Sequence, residues 1–257
     1  MTGLIMRLAG PLQSWGERSA FSAERDTALF PTRSALIGMF AAAEGIPRHD
    51  TAALQRYAAL EFTIRIDRPG VSLVDYHTVG GGQAKDKTAA TSGGSRKGAA
   101  VVTRRHYLAD AVFVIAITGP RKDTARVADA LHQPHWAPYL GRRACPPDEP
   151  LLLRTDAADP VGELLHHVPL SPDLARRAPQ NGIVLATFLW ERARHQAPTS
   201  ADTLTVQDVP HSFAPHSRSH GKRRLHRTEE KLPATLADSP LSLHRRLVDY
   251  ATKEGPS

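Results

Sequence analysis

The sequence has few cysteines, few aromatic residues and no long apolar run. Cys145 is the one cysteine among 257 residues, which excludes an internal disulfide framework and a zinc site built on several cysteines. The longest apolar run, residues 35–43, ends at Glu44, well short of the roughly 18–20 residues that a membrane helix needs. No basic region precedes the apolar N-terminal segment, so we expect no secretory signal and a cytoplasmic protein without membrane contact.

Common catalytic and metal-binding motifs are absent as well. The chain contains no G-x-x-x-x-G-K-[ST] phosphate loop, no H-E-x-x-H and no G-x-S-x-G. Four histidines lie in the C-terminal region with spacings of 5, 4 and 6, which match no standard zinc pattern: His211, His216, His220 and His226. We therefore expect no metal and no cofactor, and we expect Cys145 to be a packing residue rather than a nucleophile.

The positive charge of the chain is concentrated in two segments. The formal net charge is +7, from 33 Lys and Arg against 26 Asp and Glu. Residues 80–108 carry six basic residues and one acidic residue, and residues 211–231 carry six basic and two acidic ones. The remainder of the chain is slightly acidic. Two basic clusters on a near-neutral body favour a polyanionic partner such as nucleic acid, the alternative being solvated loops.

Apolar patterns over the first 155 residues predict a mixed α+β domain. Strands are predicted at 4–8, 61–67, 71–79, 101–108, 111–117 and 151–153, with one face of 61–67 buried. Helices are predicted to begin with Thr32 or Ser34 as the cap and with Asp123 as the cap, and a short helix is predicted over 51–59. This βαββαβ order is typical of ferredoxin-like, RRM-like bodies.

We accordingly predict a ferredoxin-like RNA-binding domain over residues 1–155, into which a basic β-hairpin thumb is inserted at about 78–107. The Gly-rich segment 80–98 would form the tip of the thumb. Residues 156–257 are predicted to form an irregular C-terminal extension with small strands and a basic, His-rich loop or tail at 211–231.

Two segments combine arginine with tyrosine, a combination that binds unstacked bases in RNA-binding proteins. On a strand, alternation would place Arg105 and Tyr107 on one face and the preceding Arg104 on the other. Tyr139 is followed by Arg142 and Arg143, with Gly141 between them to let the backbone approach a ligand. A guanidinium can hold phosphate while a ring stacks on a base. An ordinary strand face and a solvated turn remain alternatives, as does a general nucleic-acid binder.

Histidines beside tyrosines raise a catalytic alternative. A metal-independent endoribonuclease needs a base for the 2′-OH and an acid for the leaving 5′ oxygen, and His77, His106 and Tyr107 are the candidates for these roles. Because 13 histidines are scattered along the chain, adjacency to tyrosine is weak support, and binding without catalysis is favoured.

Five ordered blocks resemble a known protein family. LAGPLQSWG at 8–16 and FPTRSALIG at 30–38 closely resemble the N-terminal signature of the Cas-five family of CRISPR-associated proteins. DYHTV at 75–79, RHYLAD at 105–110 and PYLGRRACP at 138–146 resemble its type I-E branch. The likeness spans roughly residues 3–153, and the C-terminal hundred residues match only loosely.

The resemblance implies a RAMP-type, ferredoxin-like body with a thumb, in a non-catalytic RNA-binding subunit of a type I-E surveillance complex (Cascade) for antiviral defence. Such a subunit holds the 5′ handle of the CRISPR RNA, caps the backbone of the complex, and contacts the backbone subunit CasC and the large subunit CasA. Contact with target DNA would come through the assembled complex. The implied RNA-binding residues are Arg105, Tyr107, Tyr139, Arg142, Arg143, Gln13, Trp15, Arg33 and Ser34, together with Arg104, Lys97 and Arg96 of the thumb.

Overall fold

A computed structural model describes residues 2–16, 23–80, 84, 100–172, 174, 182–192, 202–214, 218–237 and 240–252. The named strands are β1 (Thr2–Ala9), β2 (Leu12–Gln13), β3 (Glu24–Arg25), β4 (Glu61–Arg68), β5 (Val71–Val79), β6 (Val101–Ala109), β7 (Val112–Gly119), β8 (Leu152–Ala157), β9 (Ile183–Trp190), β10 (Thr203–Ser212) and β11 (Ser219–Pro233). The α-helices are α1 (Arg33–Ala43), α2 (Arg121–His132), α3 (Pro160–His166) and α4 (Pro240–Thr252). Within these described ranges no helix is long and apolar enough to cross a membrane.

Four antiparallel strands and two helices form the centre of the molecule. The strands lie side by side in the order β4-β7-β1-β8, with α1 following β1 in the chain and α2 following β7. This is the predicted α+β arrangement in the βαββαβ order, with the β5–β6 hairpin inserted between β4 and β7.

The C-terminal region is more regular than the sequence predicts. Strands β9, β11 and β10 continue the same sheet beyond β4, so that its full order is β10-β11-β9-β4-β7-β1-β8. The 15-residue β11 contains residues 219–231 of the basic segment 211–231, which the sequence predicts to be a loop or tail. The only fully buried residues of β11 are Leu225 and Leu232. Its sequence therefore lacks the alternation of apolar and polar residues that would predict a strand. The boundary near residue 155 stays a prediction, although strands from both sides of it are neighbours in one sheet.

Helices cover both faces of the central sheet. One core lies between the sheet and α1 and α2, and it includes Leu36, Phe40 and Phe62. A second core lies on the other face against α3 and α4, and it includes Phe188 and Trp190. Because neither face of the centre is open, RNA cannot lie across the sheet as it does in RRM domains.

The covered second face also corrects the expectation that β4 is buried on one face only. Thr63, Arg65 and Asp67 are buried, as are Phe62 and Ile64 on the other face. The Arg65 guanidinium donates to Asp67 at 2.7 Å and to the carbonyl oxygens of Leu164 and Val168 at 2.6 and 3.1 Å. A buried arginine is tolerated here because each of these acceptors compensates its desolvation.

The inserted hairpin is paired from its base outward. β5 and β6 are antiparallel, with Val71 opposite Ala109 and Val79 opposite Val101, so pairing begins before the predicted start near residue 78. β2 and β3 flank β6 on its other edge. The predicted thumb residues Arg96 and Lys97 lie outside the described residues.

The helix starts follow the predicted cap at one site and not at the other. Thr32 caps α1 by accepting a hydrogen bond from the backbone amide of Ala35, as predicted. α2 begins at Arg121 after Pro120, so the predicted Asp123 cap is wrong. Asp123 lies in the first turn and pairs with Arg126 at 2.7 Å. A carboxylate in the first turn is also stabilised by the helix dipole. The predicted helix over 51–59 is a 3₁₀ helix, Ala52–Tyr57.

Candidate nucleic-acid interface

Three of the sequence blocks meet at the base of the hairpin. The backbone amide of Ser14 donates to the Leu140 carbonyl at 3.1 Å, and its hydroxyl donates to the His106 carbonyl at 3.0 Å. Gly141 has φ +83°, and a Cβ at this position would overlap the Ser14 carbonyl. Gly141 therefore allows the 138–146 loop to approach the chain's own backbone, rather than a ligand as the sequence led us to expect.

Cys145 anchors the same loop in the core. Its side chain is fully buried, and this burial raises the pKa of the thiol. A thiol held protonated in this way is a poor nucleophile, which agrees with the packing role predicted for it.

Gln13 and Trp15 lie inside the protein. Both are fully buried. The Gln13 amide nitrogen donates to the carbonyls of Leu8 and Ala111 at 3.1 and 2.8 Å, and its oxygen accepts from the Trp15 indole at 3.1 Å. These bonds hold the turn after β1 in place. Both side chains are used in these internal bonds, so neither presents a surface for the direct RNA contact that the resemblance implies.

Arg33 is likewise committed to the protein. It is 7% exposed, and its guanidinium pairs with Glu191 at 2.9 Å. Its backbone amide, at the start of α1, donates to Asp208 at 2.7 Å. The Asp208 carboxylate therefore already takes up the backbone amide that a bound phosphate would use at this helix start. The neighbouring Ser34 is half-buried and lines the cavity described below.

Tyr107 supports an arginine instead of offering an open ring. The tyrosine is 5% exposed, and the Arg142 guanidinium carbon lies 4.5 Å from the ring centre. Arg142 donates through Nη2 to the carbonyls of Arg25 and Asp26 at 3.0 and 3.4 Å. Its buried Nη1 has no hydrogen-bond partner among the described residues. The pair therefore holds an arginine in place with one donor unsatisfied.

Arg142 belongs to a cluster of positive charges. Arg25 and Arg105 are neighbours across the parallel pairing of β3 with β6. Burial lowers the pKa of Arg25, and the positive charges of Arg105, Arg142 and Arg218 lower it further. Arginines brought this close repel one another, so the cluster favours an anion such as a phosphate.

A cavity of about 820 Å³ opens beside this cluster. Its walls come from α1, from the loop at 136–146 and from the β10–β11 hairpin. The lining includes Arg48, Arg143 and Arg218 as cationic residues, and Trp136, Tyr139 and Phe213 as aromatic ones. None of the described lining residues is acidic. Positive charge combined with accessible rings suits an unstacked nucleotide and its phosphates.

Arg104 lies apart from the cavity. Its exposed guanidinium stacks on Tyr76 at 5.3 Å, on the face of the hairpin opposite Arg105. Arg105 itself donates to Thr103 at 3.2 Å and is half-buried. The two adjacent arginines of β6 thus point to different surroundings, as the predicted alternation requires.

The catalytic alternative does not assemble. His77 lies opposite Thr103, three positions from His106 on β6, so the two histidines lie on opposite faces of the hairpin. His106 Nε2 lies 2.7 Å from Glu24 Oε1, and the Tyr107 ring is buried. The structure brings no two of these three side chains together as an acid and a base.

Several residues of the site carry no signal in the sequence. Arg25 follows a polar loop, Arg48 follows α1, and Trp136 precedes the 138–146 block, none within a recognisable pattern. The charge count includes Arg218 in the basic tail but cannot place it beside α1. Phe213 and His220 reach the cavity only because β10 and β11 join the sheet.

Comparisons with known proteins cover from about two thirds to nearly all of the chain. A family model described as "CRISPR-associated protein (Cas_Cas5)" matches residues 3–226. The chain is 39% identical over 184 residues to "CRISPR system Cascade subunit CasD" of Escherichia coli (strain K12), covering 66% of this chain and 79% of the relative. A solved structure described as "CRISPR RNA-guided surveillance complex" matches at 46% identity with a TM-score of 0.85, over 98% of this chain and 100% of the other. Another, "Crystal structure of Cas protein", matches at 28% identity with a TM-score of 0.53, over 92% and 97%.

Proposed function

Because the chain belongs to the Cas5 family of CRISPR-associated proteins, we propose that it is an RNA-binding subunit of a type I-E Cascade complex. Its ligand would be the 5′ handle of the CRISPR RNA. Two similarities support this. The E. coli relative is by name a Cascade subunit, CasD. The solved structure that matches at 46% identity is described as a CRISPR RNA-guided surveillance complex.

The cavity carries the proposal. It combines three arginines with three aromatic residues and no described acidic residue, beside the arginine cluster around Arg142. Arg105, Arg142 and Arg143 would pair with phosphates, and Tyr139 would stack on an unstacked base. Lys97, Arg96 and Arg104 would add phosphate contacts along the thumb.

The implied protein partners are the backbone subunit CasC and the large subunit CasA. β5 supports a partner surface, because its residues are exposed along nearly the whole strand. Among them Val71 and Tyr76 are 71% and 65% exposed, and Leu73 and Val74 are 43% and 45% exposed. Isolated proteins rarely expose so many large apolar side chains on one hairpin. Target DNA would be reached through the assembled complex, in the cytoplasm.

We propose that the subunit holds RNA without cutting it. The separation of His77 from His106, described above, favours this over a metal-independent endoribonuclease. Incubating the full chain with repeat RNA in EDTA at several pH values tests the alternative, because a specific product formed without metal would identify an enzyme.

Co-purification tests the proposed assembly. The tagged chain is expressed with a CRISPR array and with the other Cascade subunits, and the recovered complex is analysed for protein and RNA. We expect CasC, CasA and a short RNA that begins with the repeat-derived handle. Recovery of the subunits with RNA of unrelated sequence would contradict handle binding.

A further inference from the structure

The β10–β11 hairpin supplies one wall of the cavity from the far end of the chain. Phe213, Arg218 and His220 line the cavity, and all three belong to this hairpin or its connection. Phe213 packs toward α1, since a Cβ on Gly38 would lie 3.9 Å from the tip of its ring. The rings of Phe213 and His220 are 6.3 Å apart. The wall is therefore aromatic, with Arg218 beside it.

A network of four charged side chains, buried or nearly so, fixes this wall against α1. Asp208 is 1% exposed and accepts from Arg223 Nε and Nη2 at 2.6 and 2.7 Å. The same carboxylate accepts from the backbone amide of Arg33 at 2.7 Å. Glu191 accepts from the guanidinium groups of Arg33 and Arg223 at 2.9 and 2.6 Å. Two positive and two negative groups are balanced, so the hairpin is held in place before any ligand arrives.

His220 is suited to a base rather than to a phosphate. It is half-buried, and burial lowers its pKa. The charge of Arg218 and that of His211 lower the pKa further, while Asp208 raises it. A neutral imidazole has one nitrogen that donates and one that accepts a hydrogen bond, which matches the edge of a nucleobase. Arg218 is exposed beside it, and a guanidinium can pair with a phosphate.

We propose that Phe213, His220 and Arg218 select one unstacked nucleotide of the bound RNA, with Phe213 against the base, His220 at its edge and Arg218 at its phosphate. The inference rests on the proposed function, because it assumes that single-stranded RNA enters the cavity. It gives the C-terminal basic segment a role in specificity, separate from the general attraction between positive charge and RNA.

Abasic RNA tests the base contact. Handle RNAs that each lack one base are bound to the full-length wild type and to His220→Ala and Phe213→Leu. One abasic position should weaken wild-type binding about tenfold, and the same lesion should cost either variant less than about twofold. Lys231→Ala changes an exposed residue on the same strand as His220 and should show the same abasic penalties as the wild type. If the penalty at every position is the same in the variants as in the wild type, the inference is wrong and handle binding stands.

Arg218→Ala tests the phosphate contact independently of the aromatic residues, and its exposed position makes folding of the variant secure. The slope of log affinity on log salt should fall by about 0.7, as expected for one lost phosphate contact. An unchanged slope would overturn the role of Arg218. If the wild type binds handle RNA no better than scrambled RNA, the proposed function itself fails, and the inference fails with it.

Discussion

The Arg142 guanidinium carbon lies 4.5 Å from the centre of the Tyr107 ring, and the ring is almost wholly buried beneath it. A cation over an aromatic face gains about 0.5–2 kcal/mol, depending on its desolvation. The tyrosine that the sequence offers as a platform for a base therefore serves in the structure to orient an arginine.

A double-mutant cycle tests this relationship. Tyr107→Leu should weaken handle binding because Arg142 loses its support, and Arg142→Ala should weaken it directly. Together they should cost little more than Arg142→Ala alone, since one residue acts through the other. Additive losses in binding free energy would mean that Tyr107 contacts RNA itself. Tyr107→Phe keeps the ring and should bind within about twofold of the wild type.

Gly141→Ala should destabilise the protein and weaken RNA binding together. The added methyl group meets the Ser14 carbonyl, and the positive φ adds strain of about 1–2 kcal/mol. Gly182→Ala is the matched control, because Gly182 has φ +77° and a methyl group added there would meet no atom within 4 Å. Denaturant unfolding should show the larger loss for Gly141→Ala. Equal losses would show that strain alone, not the approach to Ser14, requires this glycine.

Asp208→Ala should be strongly destabilising. It removes the acceptor of the Arg33 backbone amide and leaves the largely buried Arg223 with Glu191 as its one carboxylate partner among the described residues. Breaking such a network costs about 3–5 kcal/mol. Asp156→Ala removes a comparable contact, to Arg121 at 2.8 Å, from an exposed pair and should cost about 1 kcal/mol or less. Similar free energies of unfolding for the two variants would contradict the structural role assigned to the network.

Stability should depend on pH through His220. Because its pKa is lowered in the folded protein, the unfolded chain binds the proton more readily. This contribution to stability is complete above the ordinary histidine pKa near 6.5 and is lost as the pH falls through the folded value. Denaturant unfolding at pH 7.5 and 5.0 should show a smaller acid loss for His220→Gln than for the wild type. An equal loss would mean that His220 is as easily protonated folded as unfolded.

The central fold was predictable because its strands carry strong apolar patterns. The apolar residues 111–117 identify β7, and Thr32 with the apolar face after it identifies α1. β11 was not predictable as a strand, because charged residues occupy both of its faces and Leu225 stands almost alone as a buried position. This segment forms a strand because it pairs with β9 and β10, and the local sequence does not encode that pairing.

The site was predictable in its location and less so in its roles. The blocks around Arg105 and Arg142 do meet, yet Gln13 and Trp15 of another block are buried. Membership of the same sequence block does not show which residues face a ligand and which hold the block together. Phe213 lies far along the chain from α1, and only the three-dimensional pairing of β10 with β11 brings it to the cavity.

Binding of the full chain to repeat-derived handle RNA and to scrambled RNA of equal length, over a salt series, tests the central claim most directly. We expect the handle to bind about tenfold more tightly or better at every salt concentration. Changing both Arg142 and Arg143 to Ala should reduce the salt slope by about 1.4, for two lost phosphate contacts. Lys122→Ala, an exposed change on α2, should leave the slope unchanged. Equal affinity of the wild type for both RNAs would contradict handle recognition.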